Sequence, residues 1–194
     1  MSYNLKQNAD GSMELQDSYS ADSAFKCMPV PQMDAGTGIT AGTGTIYRSS
    51  VAKVGGIIQT KLLIDLTGLE RDATLGDIIG KPGTALPCHI GQVPAAIGTV
   101  LTGRVTCLEA PAGGEVDIDL YSATEGTGVT DGAIGSLTET ALLDAAADWT
   151  IGAVKVLTAV PVASSYLYLT TGTSSTPTAG TYTAGKVKVV IDYV

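Results

Sequence analysis

Few residues in this chain have types and spacing suited to chemistry. There is one histidine, His89, and any Ser-His-Asp or Cys-His mechanism has to run through it. It directly follows Cys88, and adjacent residues of a strand point to opposite faces, which is poor geometry for a dyad or a chelate. Asp117 and Asp119 would share one strand face about 7 Å apart, at two strand rises. Paired carboxylates serve glycoside hydrolysis or calcium binding. Here they alternate with Val116, Ile118 and Leu120, so a solvated outer face is the expectation. Trp149, Tyr166 and Tyr168, with Tyr182, are candidates for a glycan-binding surface, against the alternative that such rings fill a core. Gly-Thr-Gly recurs at 36–38, 42–44 and 126–128 without growing into a dinucleotide or phosphate loop. The three cysteines, Cys27, Cys88 and Cys107, are widely spaced and odd in number, which reads as free thiols, with one disulfide and a spare thiol as the alternative. No zinc-ligand motif occurs. The expectation is a protein that is not an enzyme, with no catalytic residue, metal or cofactor.

The elements that would position these residues are strands. Glu115-Val-Asp-Ile-Asp-Leu-Tyr121, Ser165-Tyr-Leu-Tyr-Leu-Thr170 and Lys186-Val-Lys-Val-Val-Ile-Asp-Tyr193 alternate in the way of half-buried antiparallel strands. Further strands are expected at 45–51, 57–66, 88–93, 99–109 and 150–158, with 57–66, the most apolar, at the centre of a sheet. Pro111-Ala-Gly-Gly114 is read as a hairpin turn joining 99–109 to 115–121, and 164–172 is read as pairing with 186–194. A short turn of helix is expected near 75–79. Ser136 followed by Glu139 fits a capping box opening a helix over 137–147, while a strand through 140–143 competes. Seven to nine strands with long connections predict an all-β antiparallel sandwich of jelly-roll or Greek-key type with at most one short helix.

Residues 1–44 differ from 45–194. The first part is polar, then carries Met28-Pro-Val-Pro-Gln-Met33 and a Gly/Thr tract, and is expected to be an extended N-terminal arm beside a β-sandwich domain. It is either a loose tail or an arm that orders on a neighbour through Phe25, Met28, Val30 and Met33.

The formal charge of −8, with lysines and arginines scattered along the sequence, argues against nucleic-acid binding. No apolar run reaches the length of a membrane span. Met1-Ser-Tyr-Asn-Leu-Lys-Gln7 lacks the apolar core of a secretory signal, so a cytoplasmic product is expected.

Gly113-Gly-Glu-Val-Asp-Ile-Asp-Leu-Tyr121, Asp148-Trp-Thr-Ile-Gly152, Pro161-Val-Ala-Ser-Ser-Tyr-Leu-Tyr-Leu169 and Thr178-Ala-Gly-Thr-Tyr-Thr-Ala-Gly-Lys186 carry a resemblance. From about residue 60 onward the chain resembles virion structural proteins of tailed bacteriophages, marine and cyanobacterial phages especially, of the capsid decoration or cement type. That resemblance implies a jelly-roll fold, the major capsid protein as partner, and a place in the virion after assembly in the host cytoplasm. A homotrimer would suit local three-fold positions on a capsid. The alternative is a lectin-like module on the particle surface or tail.

Overall fold

The computed structural model describes residues 3–7, 13–17, 25–27, 33–40, 45, 47–54, 56–71, 73–83, 85–95, 98–144, 147–172 and 179–194. The chain divides into two compact units, Met1–Pro31 and Gln32–Val194. In the first, where an extended arm was expected, β1 (Tyr3–Gln7), β2 (Met13–Asp17) and β3 (Phe25–Cys27) form an antiparallel meander in the order β1-β2-β3.

The second unit is an all-β antiparallel sandwich. One sheet has the order β11-β8-β14-β5-β4, built from β4 (Tyr47–Val54), β5 (Ile57–Asp65), β8 (Val100–Ala112), β11 (Val154–Val156) and β14 (Ala184–Tyr193). The other has the order β10-β9-β12-β7, built from β7 (Gly91–Gln92), β9 (Ile118–Ala123), β10 (Glu139–Leu143) and β12 (Tyr166–Thr171). Between the sheets, Val105 and Val187 meet Ile118, Leu120 and Leu169, with Leu143 and Trp149 filling in from the side. A small ladder of β6 (Glu70–Arg71) and β13 (Gly180–Thr181) lies outside the two sheets.

The expected strand runs are present, but two expected pairings are not. Residues 99–109 and 115–121 do not form a hairpin, since β8 and β9 belong to different sheets. Likewise β12 pairs with β9, while β14 lies between β8 and β5 and takes the central place expected for 57–66. Alternation fixes which way side chains point; it carries no information about which neighbour supplies the hydrogen bonds.

The capping box at Ser136 is not used. Residues 134–136 make one 3-10 turn, and Glu139–Leu143 is strand β10, so the strand alternative holds. Its Leu142 and Leu143 are buried, and its register opposite Ala123 to Leu120 satisfies the backbone of the β9 edge. In place of the turn of helix expected near 75–79, residues 75–76 make a turn and 77–79 are extended: Ile78 bridges to Thr170, and Ile79 N–H bonds the Leu169 carbonyl (2.9 Å).

The Gly/Thr tract, expected as part of the arm, belongs in part to the sandwich unit. Residues 37–40 form a single helical turn, α1 (Thr37–Thr40). Gly36 N–H bonds the His89 carbonyl (2.8 Å) and Gly38 N–H bonds that of Pro87 (2.7 Å). A Cβ at either glycine would overlap the Pro87 carbonyl, so only glycine permits this approach. Among the described residues no helix is long and apolar enough to cross a membrane.

Candidate interaction surface

Of the groups with types suited to chemistry, Cys88, Asp117 and Asp119 are buried and His89 is part-exposed. Cys88 is fully buried; its thiol donates to the Leu86 carbonyl (3.2 Å) and lies 3.3 Å from Thr130 Oγ1. Burial pushes that thiol's pKa up, away from the thiolate a nucleophile needs. His89 turns to other neighbours, with its ring 4.8 Å from that of Tyr166 and 6.3 Å from that of Tyr168. Desolvation lowers its pKa. Among the described residues no group of three or more His, Cys, Asp or Glu is placed to hold a metal ion.

Asp117 and Asp119 are not on a solvated face; they are 0% and 1% exposed. The loop over residues 125–137 packs on the non-core side of β12, where Gly128 lies against the Tyr168 ring, Ile78 and Leu137. Asp117 packs beneath Gly172, whose N–H bonds the Asp117 carbonyl oxygen (2.8 Å). Beside it lies a buried ion pair. Arg71 Nη2 is 3.3 Å from Glu115 Oε2, with side chains 0% and 5% exposed. Glu115 Oε1 also accepts the Val116 and Asp117 N–H groups (3.1 and 3.4 Å). The Arg71–Glu115 pair ties β6 to the segment that enters β9. Strand alternation could not reveal this, because the covering loops are distant in sequence.

Of the candidate glycan residues, Trp149, Tyr168 and Tyr182 are inside. Trp149 is buried, donates Nε1–H to the Ile118 carbonyl (2.8 Å), and has Lys155 Nζ 4.5 Å from its ring. Tyr168 is buried, donates to the Glu125 carbonyl (2.7 Å) and accepts from Gly128 N–H (3.3 Å). Both polar handles are used internally, which leaves nothing to orient a sugar. Tyr166 alone of the four is part-exposed, packed on His89.

Of the arm anchors, Met33 is 1% exposed and packs against Gly91 in the unit's own core, so it is no partner contact. The Tyr47 hydroxyl pins this segment through the carbonyls of Met33 (2.9 Å) and Ile90 (2.8 Å). Phe25 lies on β3. Met28 and Val30 lie outside the described residues.

What the structure does present outward is the non-core face of the five-stranded sheet and its β11 edge. The register sets the face in rows: Arg48, Leu63, Lys188, Thr106 and Val154; then Ser50, Lys61, Val190, Arg104 and Val156. Lys186 and Asp192 continue the β14 column. Five of the eleven lysines and arginines, scattered in sequence, thus share one face. Arg104 pairs with Asp192 (3.3 Å), and Lys186 with Asp65 (3.4 Å) and Glu109. Arg48, Lys61 and Lys188 make no ion pair among the described residues.

At the β11 edge the chain exposes large aliphatics. Ile151, Val154, Val156, Val160 and Val162 are 73, 56, 62, 44 and 64% exposed. Cys107 N–H bonds the Ala153 carbonyl and Leu157 N–H that of Gly103 (2.9 Å each). Residues 153, 155 and 157 therefore bond inward to β8, and the N–H and C=O groups of Val154 and Val156 point away from the sheet. This edge offers both unused ladder groups and apolar side chains. Comparisons with protein-family models, curated proteins and solved structures return no match for the chain.

Proposed function

We propose that this protein is a non-enzymatic structural component of a tailed-phage virion, a cement protein that grips major capsid subunits through its β11 edge. The observation that carries the reading is the exposed pair Val154 and Val156 on edge strand β11, with Ile151, Val160 and Val162 exposed in the segments before and after it. A bare apolar edge is an aggregation hazard that soluble proteins normally blunt with charge, proline or cover. A permanent partner removes the hazard. Strand addition uses the outward main-chain groups of Val154 and Val156 for affinity, and their side chains for packing. Two of the segments that resemble virion proteins, 148–152 and 161–169, flank this edge.

The experiment is co-sedimentation with empty capsids of the phage from which the chain comes. Wild-type protein should pellet with them. Val156→Pro removes one outward N–H without breaking a bond to β8, and should abolish pelleting with an unchanged thermal midpoint. Val154→Glu/Val156→Glu tests the packing separately. Wild-type protein left in the supernatant would overturn the capsid reading; undiminished binding by both variants would overturn the edge as its site.

A further inference from the structure

Arg48, Lys61 and Lys188 lie toward the β4 side of the cationic face, two or more strands from β11. Arg48 and Lys188 lie opposite Leu63 on its two neighbouring strands, and Lys61 is two residues along from Leu63. Strand spacing and rise put the three cationic positions about 7–10 Å apart, within the range over which charges act jointly at moderate salt. Like charges this close on a sheet are unfavourable without a counter-charge. Edge protection explains a cation on β4, such as Arg48. It does not explain Lys61 and Lys188, which stand on interior strands. Val190, opposite Lys61 and Arg104 in register, is 1% exposed.

The same chain carries a matching surface on its other sheet. On β10, Glu139 and Ala141 lie opposite Ala123 and Tyr121, on the side of β9 away from the core. Glu139 and Asp144 are exposed. Glu125 joins them through Thr138, accepting from its N–H (2.9 Å) and its hydroxyl (2.7 Å). The Tyr121 phenol registers this field: its pKa is raised by burial and then by Asp119, Glu139 and Asp144. The cationic face carries five cations against three carboxylates (Asp65, Glu109 and Asp192), while the chain as a whole is at −8.

We propose that these two surfaces are the halves of one self-interface: Arg48, Lys61 and Lys188 of one copy dock on the Glu139–Asp144 corner of a second copy. Because the surfaces belong to different sheets, the contact is head-to-tail. Each copy offers one surface and receives the other, which builds a ring if the rotation closes and an open stack if it does not. Leu63, half-buried amid the three cations, supplies the apolar centre. The inference goes beyond the capsid reading, because it requires only copies of this chain.

The test is native mass by light scattering on the full chain, without capsids. Wild-type protein should run above monomer mass. Lys61→Glu/Lys188→Glu and Glu139→Lys/Asp144→Lys should each run as monomers with unchanged circular dichroism. An equimolar mixture of the two variants should recover a mass above monomer, because each then meets opposite charge on both surfaces. Monomeric wild-type protein at its highest soluble concentration would overturn the proposal, as would an unchanged mass in either variant. A mixture that stays monomeric would also overturn it. Should a reversed variant fail to fold, Lys61→Gln/Lys188→Gln takes its place, and undiminished assembly there would count equally against the interface.

Discussion

Replacing Glu115 by Gln should cost the folded chain about 3–5 kcal/mol, because it removes the carboxylate that faces the buried Arg71 guanidinium. The pair stands at 3.3 Å with the Arg71 side chain 0% exposed and that of Glu115 5%. At that separation the attraction is about 5 kcal/mol for an effective dielectric near 20. Gln keeps the shape and can still accept from the Val116 and Asp117 amides, so the loss is of charge alone. For a chain of this length the cost corresponds to a fall in thermal midpoint of about 6–20 °C. Arg71→Met should cost a similar amount by removing the guanidinium that faces the Glu115 carboxylate. The double replacement Arg71→Met/Glu115→Leu should cost less than either single change, since it removes both charges. The assay is urea denaturation of wild type and the three variants, compared at common m-value. Single changes costing under about 1 kcal/mol, the size seen for exposed pairs, would refute the reasoning. So would a double variant whose loss equals the sum of the singles.

Desolvation lowers the His89 pKa from its ordinary 6.5. Its contribution is therefore fully present above pH 6.5 and is lost as pH falls through the lowered folded value. His89→Phe should flatten the stability profile in that window, and an unchanged slope would contradict the assignment. Burial pushes Tyr168 and Tyr193 up to about 12, whereas unfolded phenols ionise near 10. The folded state holds these protons longer, so stability should decline as pH rises from about 10 toward 12. Ultraviolet titration of the native protein should show at least two phenols ionising late; uniform ionisation near 10 would contradict their burial. Cys88 and Cys107 are both buried, with pKa values raised by desolvation. Peptide-resolved alkylation of either should be slow until urea unfolds the chain, and native labelling at the rate of free cysteine would count against the packing.

The strands were legible because their residues alternate on the scale at which a strand turns its side chains. In β14, Val187, Val189, Ile191 and Tyr193 face the core, as their spacing requires. Where a second layer covers the outer side, the same reasoning fails. Asp119 alternates with Ile118 and Leu120 as a solvated residue would, yet it is 1% exposed, opposite Thr170, to which the distant Ile78 bridges. Met33 was misread for a related reason. A Gly-rich tract looks like a tether, but Gly36 and Gly38 allow backbone to lie directly on backbone, and Met33 is buried with them. The cationic face was invisible for a third reason. Arg48, Lys61 and Lys188 are far apart in sequence, and only the β4-β5-β14 register makes them neighbours. The exposed valines of β11 alternate like any strand; that they sit on an edge follows from strand order, which local pattern does not contain.

The capsid-cement account is tested most directly by amide hydrogen exchange across β11, measured on the protein alone and bound to empty capsids. In the free chain the amides of Val154 and Val156 point away from β8 and should exchange quickly, while that of Leu157, bonded to Gly103, should exchange slowly. Binding should slow Val154 and Val156 to the rate of their bonded neighbours, as a partner strand takes up both groups. If both amides exchange as fast on the capsid as off it, the edge is not where the partner binds.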